Sequence, residues 1–146
     1  MSVPPPVIVW FRRDLRLADN PALARAAAIG RPVVPVFILD EDTPGLRSPG
    51  GASRWWLHHS LAALTDDLAA LGSRLILRRG QAAVVLDALI AETGADTVLW
   101  NRCYDKGSVA RDTEIKADLR ARGLQAESFN ASLLTEPWEI TTKAGG

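Results

Sequence analysis

Val7-Ile8-Val9-Trp10-Phe11-Arg12-Arg13-Asp14-Leu15-Arg16-Leu17-Ala18-Asp19-Asn20-Pro21-Ala22-Leu23 decides how this chain folds. Its first five residues form an unbroken apolar run rich in β-formers, the pattern of a strand buried on both faces of a parallel sheet. Four charges follow at once, on Arg12, Arg13, Asp14 and Arg16. Asn20-Pro21 then announces a helix, because an Asn side chain can accept from free N–H groups and Pro is tolerated in the first turn. Strand, charged loop and helix in that order are how an open α/β sheet presents chemistry at its carboxyl edge.

The same alternation recurs along the chain. Asn20 to Ile29 is an Ala-rich helix stopped by Gly30, and Val33 to Leu39 is a second buried strand. Pro35 has no N–H to give a ladder, so it belongs at that strand's start or beside a bulge. Asp40-Glu41-Asp42 lies at the strand's carboxyl end, and Thr43 to Ala52 is a Pro/Gly loop of the kind that moves or holds a ligand. Ser53 is the expected N-cap of a helix from Arg54 to Leu71, ended by Gly72. Its core stripe is Leu57, Leu61, Leu64, Leu68 and Leu71. Trp55 and His59 fall nearly opposite that stripe.

A third strand is expected from Arg74 to Arg78, around Leu75-Ile76-Leu77, then a helix from Gln81 to Glu92 with Val85, Leu86, Leu89 and Ile90 inward and Gly94 closing it. Thr97 to Trp100 reads as a fourth strand and Asn101 to Gly107 as a loop. Ser108 to Arg122 reads as a polar helix carrying Ile115 and Leu119, and Gln125 to Phe129 as a fifth strand. The fold expected is α/β, a Rossmann-like five-stranded parallel sheet in an order near 3-2-1-4-5 with helices on both faces. Winding reverses between strands one and four, and such a switch point is where these sheets bind ligands.

Composition narrows the function classes. The 146 residues are the size of one domain, and 17 basic residues balance 17 acidic ones. That balance leaves no global field to draw nucleic acid, so any DNA would be held elsewhere. The single cysteine excludes an internal disulfide and fits a reducing cytosol. The N-terminus lacks the basic and long apolar regions of a secretory signal, and no apolar run is long enough to span a bilayer, so a cytoplasmic location is expected. No G-x-G-x-x-G follows the first strand and no P-loop occurs, which argues against an NAD enzyme or a P-loop NTPase. Cysteine and histidine do not cluster at metal spacing, and no G-x-S-x-G elbow supports a Ser-His-Asp site.

The candidate crevice is bordered by Arg12 to Arg16 and Asn101 to Asp105, with Asp40 to Asp42 alongside. At least two of Arg12, Arg13, Asp14 and Arg16 are expected to fix the loop through a local charge network. Asp40 is the stronger functional candidate, since an acid at a strand's carboxyl end borders the crevice. Arg54, Trp55 and His59 either meet a ligand, pack under the Pro/Gly loop, or are solvated. Trp100 reads as core, Cys103 as a small buried residue, and Asn101 and Tyr104 as pointing into the loop.

Several of these stretches resemble one family. W-F-R-R-D-L-R-L-x-D-N-P-A-L, from Trp10 to Leu23, is similar to the opening of the photolyase/cryptochrome blue-light flavoproteins. Gly51 to Leu61 resembles that family's G-x-S-R-x-x-x-L-x-x-S-L. Val98 to Asp105 resembles its fourth strand and loop, Arg111-Asp112 the R-D of its next helix, and Asn130 to Trp138 its N-x-x-L-L-x-x-P-W. The resemblance implies an N-terminal α/β domain over residues 1–135, with 136–146 beginning a linker to a helical FAD-binding domain not encoded in this stretch. It implies the light-harvesting antenna domain of a light-dependent DNA repair lyase that splits cyclobutane pyrimidine dimers, not catalytic by itself. The antenna pigment would be a deazaflavin, a flavin or a reduced folate, with FAD only in the other domain. The implied partners are that C-terminal domain and, through it, damaged DNA, with no membrane and a monomeric isolated domain.

Energy transfer needs a pocket at suitable distance and orientation, and no bond-making side chain. The pigment-binding candidates are Arg12, Asp14, Phe37, Asp40, Arg54, Trp55, Asn101, Tyr104 and Asp105. Some folate-binding members carry an Asn-Glu pair where this chain has Gly107-Ser108, which disfavours folate held in that manner. Two alternatives stand beside this reading. One is the N-terminal domain of a cryptochrome-type photoreceptor, and the other is a stand-alone nucleotide- or small-molecule-binding α/β module.

Overall fold

A computed structural model describes residues 4–12, 15–40, 51–103 and 105–130, with the backbone alone for 51–53. The strands are β1 (Val7–Phe11), β2 (Val33–Leu39), β3 (Ile76–Arg79), β4 (Thr97–Asn101) and β5 (Gln125–Phe129). The helices are α1 (Pro21–Ile29), α2 (Gly51–Ala70), α3 (Ala82–Thr93) and α4 (Lys106–Ala121). All strand pairs are parallel, in the order β3-β2-β1-β4-β5. The switch point therefore lies between β1 and β4, where Val7 is opposite both Val33 and Thr97.

Burial on both faces follows from the apolar run in β1. Val7, Val9 and Phe11 pack with Ala22, Ala26, Phe37, Leu64, Leu68, Leu75 and Leu99 on the α1/α2 side. Ile8 and Trp10 pack with Val36, Ile38, Leu86, Leu89, Val98, Trp100, Ile115 and Leu119 on the α3/α4 side. The period of two sends alternate residues to opposite cores, which is why β1 has no polar position. Helix α1 begins as its sequence dictates: Asn20 accepts from Leu23 N–H at 3.1 Å, and Gly30 ends the helix at φ 77°, a conformation easiest for glycine.

Pro35 is the third residue of β2, opposite Val9. Val7 N–H donates to Pro32 O, so the strand's alternation turns the Pro35 nitrogen away from β1. On its other side β3 starts pairing only at Val36–Ile76, so no ladder bond is lost there.

The structure corrects four boundaries. Helix α2 starts at Gly51, so Ser53 lies inside the helix and is not its N-cap. Leu71 is not core: the helix ends at Ala70, and Leu71 in the following turn is 71% exposed. Strand β3 runs from Ile76 to Arg79 instead of Arg74 to Arg78, and Leu77 on this edge strand is exposed. Helix α4 begins at Lys106, because Asp105 caps it by accepting from Ser108 N–H at 3.1 Å; Gly107 is helical, not loop. The Thr43 to Ala52 loop lies largely outside the described residues.

Candidate functional site

Four chain segments converge on the carboxyl edge: the end of β1, the end of β2, and the starts of α3 and α4. On the α3/α4 face they build a buried network of two arginines and two aspartates. Arg12 donates to Asp112 Oδ2, Arg111 Nε donates to Asp112 Oδ1 at 3.0 Å, and Arg111 Nη1 lies 3.6 Å from Asp40 Oδ2. Asp40 in turn accepts from Ala82 N–H at 2.9 Å, placing its charge on the positive end of α3. The guanidinium carbons of Arg12 and Arg111 sit 4.4 and 4.9 Å from the centre of the Trp10 ring, within cation–π range. Trp10 meets Trp100 edge-on, with centroids 5.5 Å apart.

Charge balance explains how this cluster tolerates burial. Burial disfavours the charged Arg12 guanidinium, but the Asp112 charge and hydrogen bond, with Cys103 close by, outweigh it and hold its pKa above the usual arginine value. Two cations face two anions, so neither set is left uncompensated.

The other face is organised by amides. Asn101, buried at the end of β4, accepts from Ala22 N–H at 3.0 Å and donates to Asn20 Oδ1 at 2.7 Å. Arg16 closes the preceding loop through Ala18 O at 3.1 Å and Asp19 O at 3.0 Å, and Asn20 Nδ2 donates back to Arg16 O. Asp19 adopts φ 51°, which a short polar side chain tolerates better than most. A shallow depression beside this loop is lined by Leu17, Asp19, Asn20, Pro21 and Ala24.

A third feature sits on α2. Trp55 and Trp56 are 61% and 67% exposed. Their rings stack with centroids 6.3 Å apart, Trp55 lies 4.2 Å from His59, and His59 is 5.6 Å from His58. Four rings thus line one open stretch of helix in the second and third turns after the carboxyl edge.

The nine sequence candidates separate accordingly. Arg12, Asp40, Asn101 and Asp105 come together at the carboxyl edge, each engaged in an ion pair or a helix cap. Asn101 ends β4 and is buried, so it does not point into a loop. Arg16 fixes its loop through backbone carbonyls and Arg12 pairs with Asp112, a hundred residues away, so neither shows the local charge network expected of this loop. Phe37 is core, packed on the α1/α2 side. Trp100 and Cys103 are buried as expected. Arg54 and Trp55 are exposed on α2. Asp14 and Tyr104 lie outside the described residues. Sequence reasoning passed over Trp56, and it took Arg111-Asp112 only as a motif; that pair's spacing on a helix gives no hint that one member reaches β1 and the other β2.

Chemically, the arrangement is one for holding shape. Among the described residues no group of three His, Cys, Asp or Glu side chains could hold a metal ion. No helix among the described residues is long and apolar enough to cross a membrane. Among the described residues the ring cluster on α2 is an exposed aromatic surface.

Comparison with known proteins gives a consistent result. The DNA photolyase family matches residues 7–146. A deoxyribodipyrimidine photo-lyase of Agrobacterium fabrum is 53% identical over 141 residues, 97% of this chain and 29% of that protein. Cryptochrome-2 of Arabidopsis thaliana is 48% identical over 147 residues, 99% of this chain and 24% of that protein. A crystal structure of a bacterial class III photolyase from Agrobacterium tumefaciens superposes with a TM-score of 0.89 at 51% identity, covering 100% of this chain and 30% of that one. The chain thus spans less than a third of the length of these proteins.

Proposed function

Because the chain belongs to the DNA photolyase family, we propose that it is the light-harvesting domain of a light-dependent lyase that splits pyrimidine dimers in DNA. In this reading it binds a planar antenna pigment, a deazaflavin, a flavin or a reduced folate. The pigment passes excitation energy to an FAD held by a separate C-terminal domain, which also holds the damaged DNA. The observation that carries the reading is a contrast at the carboxyl edge. Arg12, Asp40, Asn101 and Asp105 are engaged with partners inside the fold, whereas the Trp55 ring lies open in the second turn of α2. A site that only places a chromophore needs the second kind of group and not the first.

Trp55, with Arg54 beside it, is the proposed edge of the pigment site. An indole stacked on a flat heterocycle contributes about 1 kcal/mol beyond its buried area. Trp55→Ala is expected to weaken pigment binding by roughly five- to ten-fold, with the denaturation midpoint of the domain nearly unchanged. Fluorescence titration of both forms with a reduced folate, a deazaflavin and riboflavin, alongside urea melts, makes the check. Unchanged affinity per folded molecule, with stability lost, makes Trp55 a packing residue and moves the site elsewhere.

A second reading, the N-terminal domain of a cryptochrome-type photoreceptor, is favoured by the near-equal identities to the Agrobacterium photolyase and to Arabidopsis cryptochrome-2. Light-dependent splitting of a thymine dimer by the whole protein separates the two.

A further inference from the structure

Strand β5 is an edge of the sheet, and its two faces carry different chemistry. Ala126 belongs to the α3/α4 core and Phe129 packs against the α1/α2 core, so alternation along the strand puts Ser128 on the α4 face and Glu127 on the α1 face. Glu127 pairs there with Arg25 of α1 at 3.5 Å. On the α4 face three cations converge on neutral oxygens. Lys116 Nζ donates to Ser128 Oγ at 3.0 Å, Arg102 Nε to the same oxygen at 3.3 Å, and Arg120 Nη2 to Ala126 O at 2.9 Å. Arg102 Nη2 also reaches Ser128 O at 3.4 Å.

Arg12, Arg31, Arg111 and Arg122 each stand against a carboxylate. Lys116 and Arg120 reach a hydroxyl and a carbonyl, with a further cation beside them. Lys116 registers the cost. Burial, and then the charges of Arg120 and Arg102, depress its pKa, and Glu127 offsets them only in part. An anion among the three cations relieves that repulsion. Ser128 accepts from two donors through its hydroxyl oxygen and keeps its proton to give. Two planar guanidinium forks, an ammonium and a hydroxyl thus gather on one side of β5. Donors from several directions suit a tetrahedral oxyanion, with more than two accepting oxygens, better than a flat carboxylate. Covering edge carbonyls with arginine also blunts an open strand against pairing, but that task does not call for two cations on one serine hydroxyl.

We propose that Lys116, Arg102, Arg120 and Ser128 form a binding site for a phosphate dianion, as the free ion or a terminal monoester. A dianion brings two negative charges to three positive ones, whereas a diester phosphate brings only one. The site lies on the α3/α4 side of the sheet and α2 packs on the other, so it does not depend on where a pigment binds.

The test is a nuclear magnetic resonance titration of the isotopically labelled 146-residue chain with inorganic phosphate, ionic strength being held constant with chloride. The amide signals of Lys116 and Ser128 should shift saturably. The side-chain titration of Lys116 should also move to higher pH, because a neighbouring anion favours the charged amine. The charged groups around that amine are Arg102 after β4, Arg120 one turn along α4 and Glu127 on β5. Joint Lys116→Gln and Arg120→Gln substitution is expected to weaken binding roughly ten-fold or more. Lys116→Arg, which keeps the charge, should retain it, and Arg25→Gln on the other face should leave it unchanged. Shifts that do not saturate, or that persist in the folded double variant, overturn the proposal. An unmoved Lys116 titration in the parent overturns it as well, whether or not the double variant folds. So does binding that appears only after Glu136→Gln and Glu139→Gln, since the cations would then serve acids of the chain itself. Glycerol 3-phosphate is the competitor that separates the two forms: displacement of phosphate supports a monoester ligand, and failure to displace it supports the free ion.

Discussion

Asp112→Asn is expected to destabilise the domain by about 3–5 kcal/mol, the loss that follows when one partner of a buried ion pair is removed. Asp112 accepts from Arg12 through one oxygen and from Arg111 through the other, and it is the group that lets Arg12 stay charged in the interior. An amide keeps the shape but removes the charge and turns an N–H₂ toward a guanidinium. Arg12 would then be buried without adequate compensation, against the Trp10 face and with its path to water closed. The double variant Arg12→Met, Asp112→Leu should lose much less, because two apolar groups leave no orphaned charge between them. Urea melts of the single and double variants provide the measurement. A single variant within about 1 kcal/mol of the parent would place the pair among weak surface-like bridges and remove the network from the account of the crevice floor.

Leu64→Ala carries the second large effect. Leu64 is 0% exposed and packs in the α1/α2 core with Val9, Phe37 and Leu68. Truncating it loses the transfer energy of three carbons and leaves a cavity that the β-sheet behind it cannot fill, at about 2–5 kcal/mol. Leu71→Ala is the matched control, since the same chemistry at a 71% exposed position should cost well under 1 kcal/mol. Equal losses at the two positions would mean that α2 continues past Ala70 in solution, and that the stripe read from the sequence is right to its end.

The contrast between those two leucines shows where sequence reading works and where it stops. Spacing by threes and fours puts both on one face, but only the end of the helix decides that Leu71 leaves the core. β1 was legible because a strand buried on both sides has no room for a polar residue, and Val7 to Phe11 has none. The cap at Asn20 was legible because it is local: the accepting side chain and the Leu23 N–H that donates to it lie three residues apart. The cap on α3 was not, since its acceptor, Asp40, is 42 residues away at the end of another strand. Asn101 misled for the same reason. A polar residue after Trp100 looks like the first of a loop, yet its amide is what completes the start of α1.

Candidate residues at the carboxyl edge were therefore identified by place more securely than by role. Polarity at a strand's end marks the crevice, but it does not tell a group that meets a ligand from one that finishes a helix. Asp40 caps α3, Arg12 pairs with Asp112 across the sheet edge, and Phe37 lies in the core. Trp55 was found by its position opposite the leucine stripe, and the structure leaves it open. Trp56 is as exposed and escaped notice, because an adjacent residue on a helix points about 100° away and joins neither the stripe nor its opposite face.

The central claim, that this domain gathers light for a flavin it does not itself hold, is most directly tested by an action spectrum. The chain would replace the matching N-terminal segment of the Agrobacterium photolyase, with which it shares 53% identity. Repair of a thymine dimer would then be followed against excitation wavelength with the pigment bound. The account predicts that the repair rate follows the pigment's absorption band in addition to that of the flavin, and that Trp55→Ala diminishes the pigment's band alone. A repair spectrum that follows the flavin only, while the pigment is demonstrably bound, would contradict it.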